Sequence, residues 1–116
     1  MRDYLHLKLV AEPNEVFAVV FLNSQHQVLA YEPMFKGTVD QTSVYPRVLV
    51  QRALALNASA VILAHQHPSG MTVPSAADQA LTDRLKAALA IVDVRVVDYF
   101  IVGKGTPYSF AESGLL

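Results

Sequence analysis

A chain of 116 residues with 53% hydrophobic and 16% charged residues is long enough to bury one core and too apolar for disorder. Its net charge of −1 and isoelectric point of about 6.4 argue against a chain devoted to gripping nucleic acid, which carries a basic surplus, although a local basic patch could hide in a neutral total. It has no cysteine, which excludes disulfides, thiolate metal sites and a cysteine nucleophile. Mean hydropathy is +0.31, yet no apolar run approaches the ~18 residues of a membrane helix. The start, Met1-Arg2-Asp3-Tyr4, lacks a stretch of signal-peptide length. A single domain over residues 1–116, cytoplasmic and not in a membrane, is the expectation; nothing here predicts an oligomeric state.

Residues 4–10 alternate and read as a strand. Residues 16–22, rich in β-branched and aromatic side chains, read as a buried strand. Asn23-Ser24-Gln25 supplies turn chemistry, Gln27 to Tyr31 reads as a hairpin partner, and residues 34–38 as a third strand ending near Gly37. Val44 to Leu56 reads as a helix, with Ser43 as N-cap, Pro46 in the first turn, an apolar face of Val50, Ala53 and Leu54, and Asn57 as its stop. Ala60 to Ala64 is a central strand, and His65 to Pro74 a loop. Ser75 to Leu89 is the clearest helix, with Ala77, Ala80, Leu81, Leu85, Ala88, Leu89 and Val92 apolar and Gln79, Thr82, Asp83 and Lys86 opposite. Val94 to Val102 is again a strand, Gly103 and Gly105 bracket a turn, and Tyr108 to Ala111 pairs back. The order β-β-β-α-β-α-β-β, with hairpins at both ends, predicts an α/β (mixed α+β) fold: a mixed sheet with helices packed on it.

The chemistry concentrates in residues 65–78. His65 and His67 follow a buried strand, and in extended backbone residues two apart point the same way, roughly 6.6 Å apart along the strand. Two such imidazoles can converge on one ion with bonds of about 2.0–2.1 Å. Pro68 and Gly70 turn the chain, and Asp78 in the first turn of the next helix can swing back as a third ligand. Two nitrogens and one oxygen leave a fourth tetrahedral position for water, as in catalytic zinc sites. The plainer alternative is that Ser75-Ala76-Ala77-Asp78 is a capping box, with Asp78 favoured by the helix dipole and the H-x-H pair a coincidence.

His65-x-His67, seven residues, Ser75, two residues and Asp78 resembles the JAMM motif of JAB/MPN domains in its full spacing. The string from His65 to Gly70 is similar to the version in the C-terminal domain of the RadC family, which usually has Asn where Gln66 stands. The resemblance runs through Glu15-Val16-Phe17, Phe21-Leu22-Asn23, Gly37-Thr38, Arg47, the Ala60–Ala64 run and Ser109-Phe110-Ala111-Glu112. It implies a zinc-dependent hydrolase, peptidase- or isopeptidase-like, with a layout shared with cytidine deaminases. His65, His67 and Asp78 would hold Zn²⁺, Glu15 would be the general base rather than Glu12 or Glu32, and Ser75 would donate to the tetrahedral oxyanion. Its substrate would be an unidentified peptide-like bond.

Tyr99 follows Asp98 where the RadC pattern commonly has a histidine, and the helix-hairpin-helix segment of many RadC proteins is not expected in this chain. The family's name links it to DNA repair, so the alternative is a non-catalytic DNA-associated or scaffold protein that retains the site. Other metal and serine chemistries lack their signatures: P-C-x-x-C, H-E-x-x-H and G-x-S-x-G are all absent.

Overall fold

The computed structural model describes residues 1–10, 12, 14–37, 44–67 and 72–116. Its elements are α1 (Arg2–Leu9), β1 (Val16–Leu22), β2 (Val28–Lys36), α2 (Pro46–Ala55), β3 (Ala60–Gln66), α3 (Ala76–Ile91), β4 (Arg95–Val102) and β5 (Tyr108–Ser109). The strands form one mixed sheet in the order β2-β1-β3-β4-β5. β3 pairs antiparallel with β1 and parallel with β4, so the β3–β4 connection must cross over, and α3 makes that crossing. β1 and β3 are buried along their whole lengths because both faces of the sheet are covered, which explains their unbroken apolar runs. Among the described residues no helix is long and apolar enough to cross a membrane.

One face carries Phe17, Val19, Phe21, Val61, Leu63, Val96, Tyr99 and Ile101 against Leu49 and Ala53 of α2 and Leu81, Leu85 and Leu89 of α3. The other face carries Val16, Ala18, Val20, Ile62, Ala64 and Phe100 against Leu5 and Leu9 of α1. That second face overturns the strand expected over residues 4–10. The alternating leucines are equally a helical i, i+4 pair, with Leu5 and Leu9 buried and Leu7 78% exposed. An apolar sheet face needed a cover, and an amphipathic helix of about two turns supplies it. α1 is tied to the chain's other end by the Arg2–Glu112 ion pair and by Arg2 Nε donating to the Pro107 carbonyl at 3.0 Å.

Further boundaries differ from expectation. The strands expected at 27–31 and 34–38 are one strand, β2, which accommodates Pro33 because it lies at the sheet edge. The order of elements is therefore α-β-β-α-β-α-β-β rather than β-β-β-α-β-α-β-β. The N-cap of α2 is Tyr45, with Pro46 opening the helix; Ser43 and Thr38 lie outside the described residues. Leu54 is 56% exposed, and Leu49 takes the buried place expected for it. Asn57 stops the chain after α2 in the left-handed region at φ 55°, as a helix-ending asparagine can.

On α3 the buried stripe is narrower than the periodicity suggested. Ala77 and Ala80 are exposed and Thr82 is buried, its hydroxyl donating to the Asp78 carbonyl at 2.7 Å. That bond satisfies a hydroxyl inside an apolar interface. Asp98 is a buried structural carboxylate: it accepts from Tyr99 N at 2.7 Å, Ala111 N at 3.0 Å and Ser109 Oγ at 2.6 Å, which clamps the C-terminal turn to β4.

Candidate metal centre

β3 runs two residues further than the apolar run suggested, so His65 is the penultimate residue of a central strand rather than the start of a loop. Its ring points to the face shared with Leu63, the α2/α3 side. His67 follows the strand end, and its N–H donates to the Val102 carbonyl at 2.8 Å, which holds it in register beside β4. The two rings lie perpendicular with centroids 4.6 Å apart. The turn expected at Pro68 and Gly70 falls outside the described residues.

Asp78 enters from above, in the first turn of α3. The helix begins at Ser75 with a capping box: Ser75 Oγ accepts from Asp78 N at 3.0 Å, and Asp78 Oδ2 accepts from Ser75 N and Ser75 Oγ, both at 2.9 Å. The capping reading of Ser75 and Asp78 is therefore correct, and it does not compete with the ligand reading. Capping uses Oδ2 and aims Oδ1 at the sheet, where His65 Nδ1 donates to it at 3.2 Å. Asp78 sits in line with Leu81 and Leu85 on the buried stripe, one turn beyond the core.

Glu15 arrives from β1. Because β1 is antiparallel to β3, its first residues lie beside the last ones of β3: Val16 faces Gln66 and Phe17 faces His65. Glu15 precedes Val16, and its Oε2 comes within 3.8 Å of His65 Nε2 with the side chain 33% exposed. The other glutamates go elsewhere. Glu32 is bound by Arg52, whose Nε reaches both carboxylate oxygens at 2.8 Å. The charge of Glu12 is felt at Tyr31, which packs with the α1 side of the sheet.

The donor set fits a cation. One ligand atom from each of His65, His67 and Asp78 can be chosen so that all lie within 4.8 Å of one another, and His67 Nε2 is 3.8 Å from Asp78 Oδ2. Ligand atoms around a tetrahedral zinc at bonds of about 2.0–2.1 Å lie roughly 3.3 Å apart, so small side-chain rotations suffice. His65 Nε2 is buried and has no hydrogen-bond partner among the described residues, as expected of an atom reserved for a ligand.

Burial pushes the Asp78 carboxyl upward, but hydrogen bonds from His65 and from the backbone and hydroxyl of Ser75, with the His65 charge, outweigh it and hold its pKa at about 2. The folded value lies below the unfolded one, so this carboxylate stabilises the fold fully above pH about 4. The contribution drains away as pH falls from there through about 2. It amounts to on the order of 2 kcal/mol, since one pKa unit is about 1.4 kcal/mol. Melting the chelated protein across that pH window should show the loss in wild type and a flatter profile in Asp78→Asn. Equal slopes would mean that the carboxylate is not held by these partners.

Three contributors escaped the sequence reading. The Gln66 side chain points away from the histidines, as strand alternation requires, and its Nε2 donates to the Glu12 carbonyl at 3.1 Å. It thereby fastens the segment that presents Glu15. Thr82 was assigned to the solvent side, and Tyr99 was noted only as a departure. Polar residues inside apolar stripes were the available signal for both.

A mixed sheet with two histidines and an aspartate gathered at the carboxyl end of a central strand has the layout of a JAB-type domain. The chain belongs to the RadC family of these domains: the RadC-like JAB domain pattern matches residues 1–115. It is 63% identical over its full length to a UPF0758 protein of Methylibium petroleiphilum, 61% to one of Leptothrix cholodnii and 60% to one of a Polaromonas species. In each case it covers 52% of the relative, so the chain spans about half the length of the curated relatives it matches.

Proposed function

We propose that this domain is a metal-dependent hydrolase of peptide-like amide bonds, with a zinc ion held by His65, His67 and Asp78 and with Glu15 as general base. The observation that carries this reading is the convergence of the three ligating side chains within 4.8 Å, with the Glu15 carboxylate 3.8 Å from the innermost of them. A bound zinc would polarise the scissile carbonyl and bring the pKa of a coordinated water toward about 7. Glu15, buried enough to be oriented and exposed enough to meet substrate, takes the proton of the attacking water and returns it to the leaving amine.

Ser75 stands at the outer end of α3 and donates its hydroxyl to the developing oxyanion. To do so it exchanges its present bond to Asp78 Oδ2, which the Ser75 backbone N–H continues to hold. That engagement of Ser75 also favours a second reading, a metal-stabilised scaffold or DNA-associated domain without turnover.

The test is to load the purified chain with zinc, measure metal content, and follow cleavage of linear and isopeptide-linked peptides with and without a chelator. One equivalent of zinc and chelator-sensitive cleavage restored by zinc are expected. Tight zinc without cleavage across the panel would favour the scaffold, and a chain that takes up no zinc would refute both readings.

A further inference from the structure

Tyr99 carries an observation that the hydrolytic reading leaves unused. Its side chain is wholly buried, with its ring stacked on Phe110 at 4.8 Å and edge-on to Phe17 at 6.1 Å. These neighbours are hydrocarbon, and a phenylalanine would satisfy them equally. The Tyr99 hydroxyl is nonetheless buried with no hydrogen-bond partner among the described residues. Leaving such a group unpaired costs on the order of 1–3 kcal/mol, and buried tyrosines normally avoid it.

The surroundings indicate what the hydroxyl is for. Tyr99 pairs with Leu63 in the parallel β3–β4 ladder and shares the α2/α3 face of the sheet with Leu63 and Phe17, the face to which His65 also points. Burial, then the charges of Asp78 and Glu15, push its ionisation well above the ordinary phenol range, so it stays a neutral donor that feels both carboxylates. His65 Nε2, on the same face, is likewise buried without a hydrogen-bond partner among the described residues. At present His65 Nδ1 donates to Asp78 Oδ1. With a cation on His65 Nε2, Nδ1 can keep its proton, so the group that must turn to offer a lone pair when the site fills is the Asp78 carboxylate. A carboxylate has acceptor capacity left for one phenol.

We propose that Tyr99 is a positioning residue of the metal centre, whose hydroxyl donates to a site carboxylate only once a divalent cation is bound. The inference rests on the metal reading above and adds a donor that the ligand motif does not contain. It predicts effects of opposite sign in the two states of the protein.

Tyr99→Phe keeps the ring and removes only the hydroxyl. In chelator, the variant should melt at or above the wild-type temperature, because an unpaired buried polar group has gone. Its zinc affinity, measured by competition with a chromophoric chelator, should fall about 10-fold or more, the usual effect of losing a group that orients a ligand. Unchanged affinity in Tyr99→Phe beside a zinc-binding wild type would overturn this inference alone. A lower melting temperature in chelator would also overturn it, since the hydroxyl would then already serve the metal-free fold. A wild-type chain that binds no zinc would overturn the metal reading and this one with it.

Discussion

Glu15→Gln is expected to leave zinc binding intact and to lower hydrolysis by about 10²–10⁴-fold, the range that a positioned general base supplies. Glutamine has nearly the same shape, and the bond from Gly37 N to the Glu15 main-chain carbonyl at 3.0 Å should persist because it does not involve the side chain. What is lost is a basic oxygen beside His65. Because Glu15 lies outside the triad of His65, His67 and Asp78, metal content and turnover should separate cleanly in this variant. The measurements are zinc stoichiometry and kcat on whichever peptide the wild type cleaves. Full activity would assign the base elsewhere, and loss of zinc would make Glu15 a ligand.

The second large effect concerns stability. A ligand that binds only the folded state stabilises it by about 4.1 kcal/mol at a concentration 1,000 times its Kd. For a domain of this size that raises the melting temperature by roughly 10–20 °C. His67→Ala should forfeit most of that gain at the same zinc concentration, because a three-ligand site becomes a two-ligand one. In chelator the variant should melt within a few degrees of wild type, since His67 follows the end of β3 and is only partly buried. Comparing the four melts isolates the metal term from the packing term. Equal zinc-induced shifts in variant and wild type would remove His67 from the ligand set.

The continuous apolar runs of β1 and β3 could be recognised because both faces of those strands are covered, and burial on two faces leaves a compositional mark that needs no partner to interpret. α3 was recognised from its period and its capping residue, although Thr82 and the exposed alanines were misplaced. Period locates a stripe's centre better than its width. α1 was misread, since leucines at 5, 7 and 9 satisfy a strand and a short helix alike. The uncovered sheet face decided between them. Likewise the sequence reading divided β2 into two strands, whereas the edge position of β2 lets it run unbroken through Pro33.

For the site, the spacing of His65, His67, Ser75 and Asp78 offered a candidate ligand set, and the family resemblance preferred it to coincidence; β3 and the start of α3 then bring the histidines and the aspartate together. Glu15 is different. It lies fifty residues from His65, and nothing near it in the chain marks it as anything but a solvated carboxylate. It reaches the histidine because β1 runs antiparallel to β3 in a register that sets Phe17 beside His65. The Tyr99 hydroxyl, brought in by the parallel β3–β4 ladder, belongs to the same category. Local spacing thus singled out the candidate ligands, and strand pairing decided which distant groups surround them, because a register can be read only when both strands are in place.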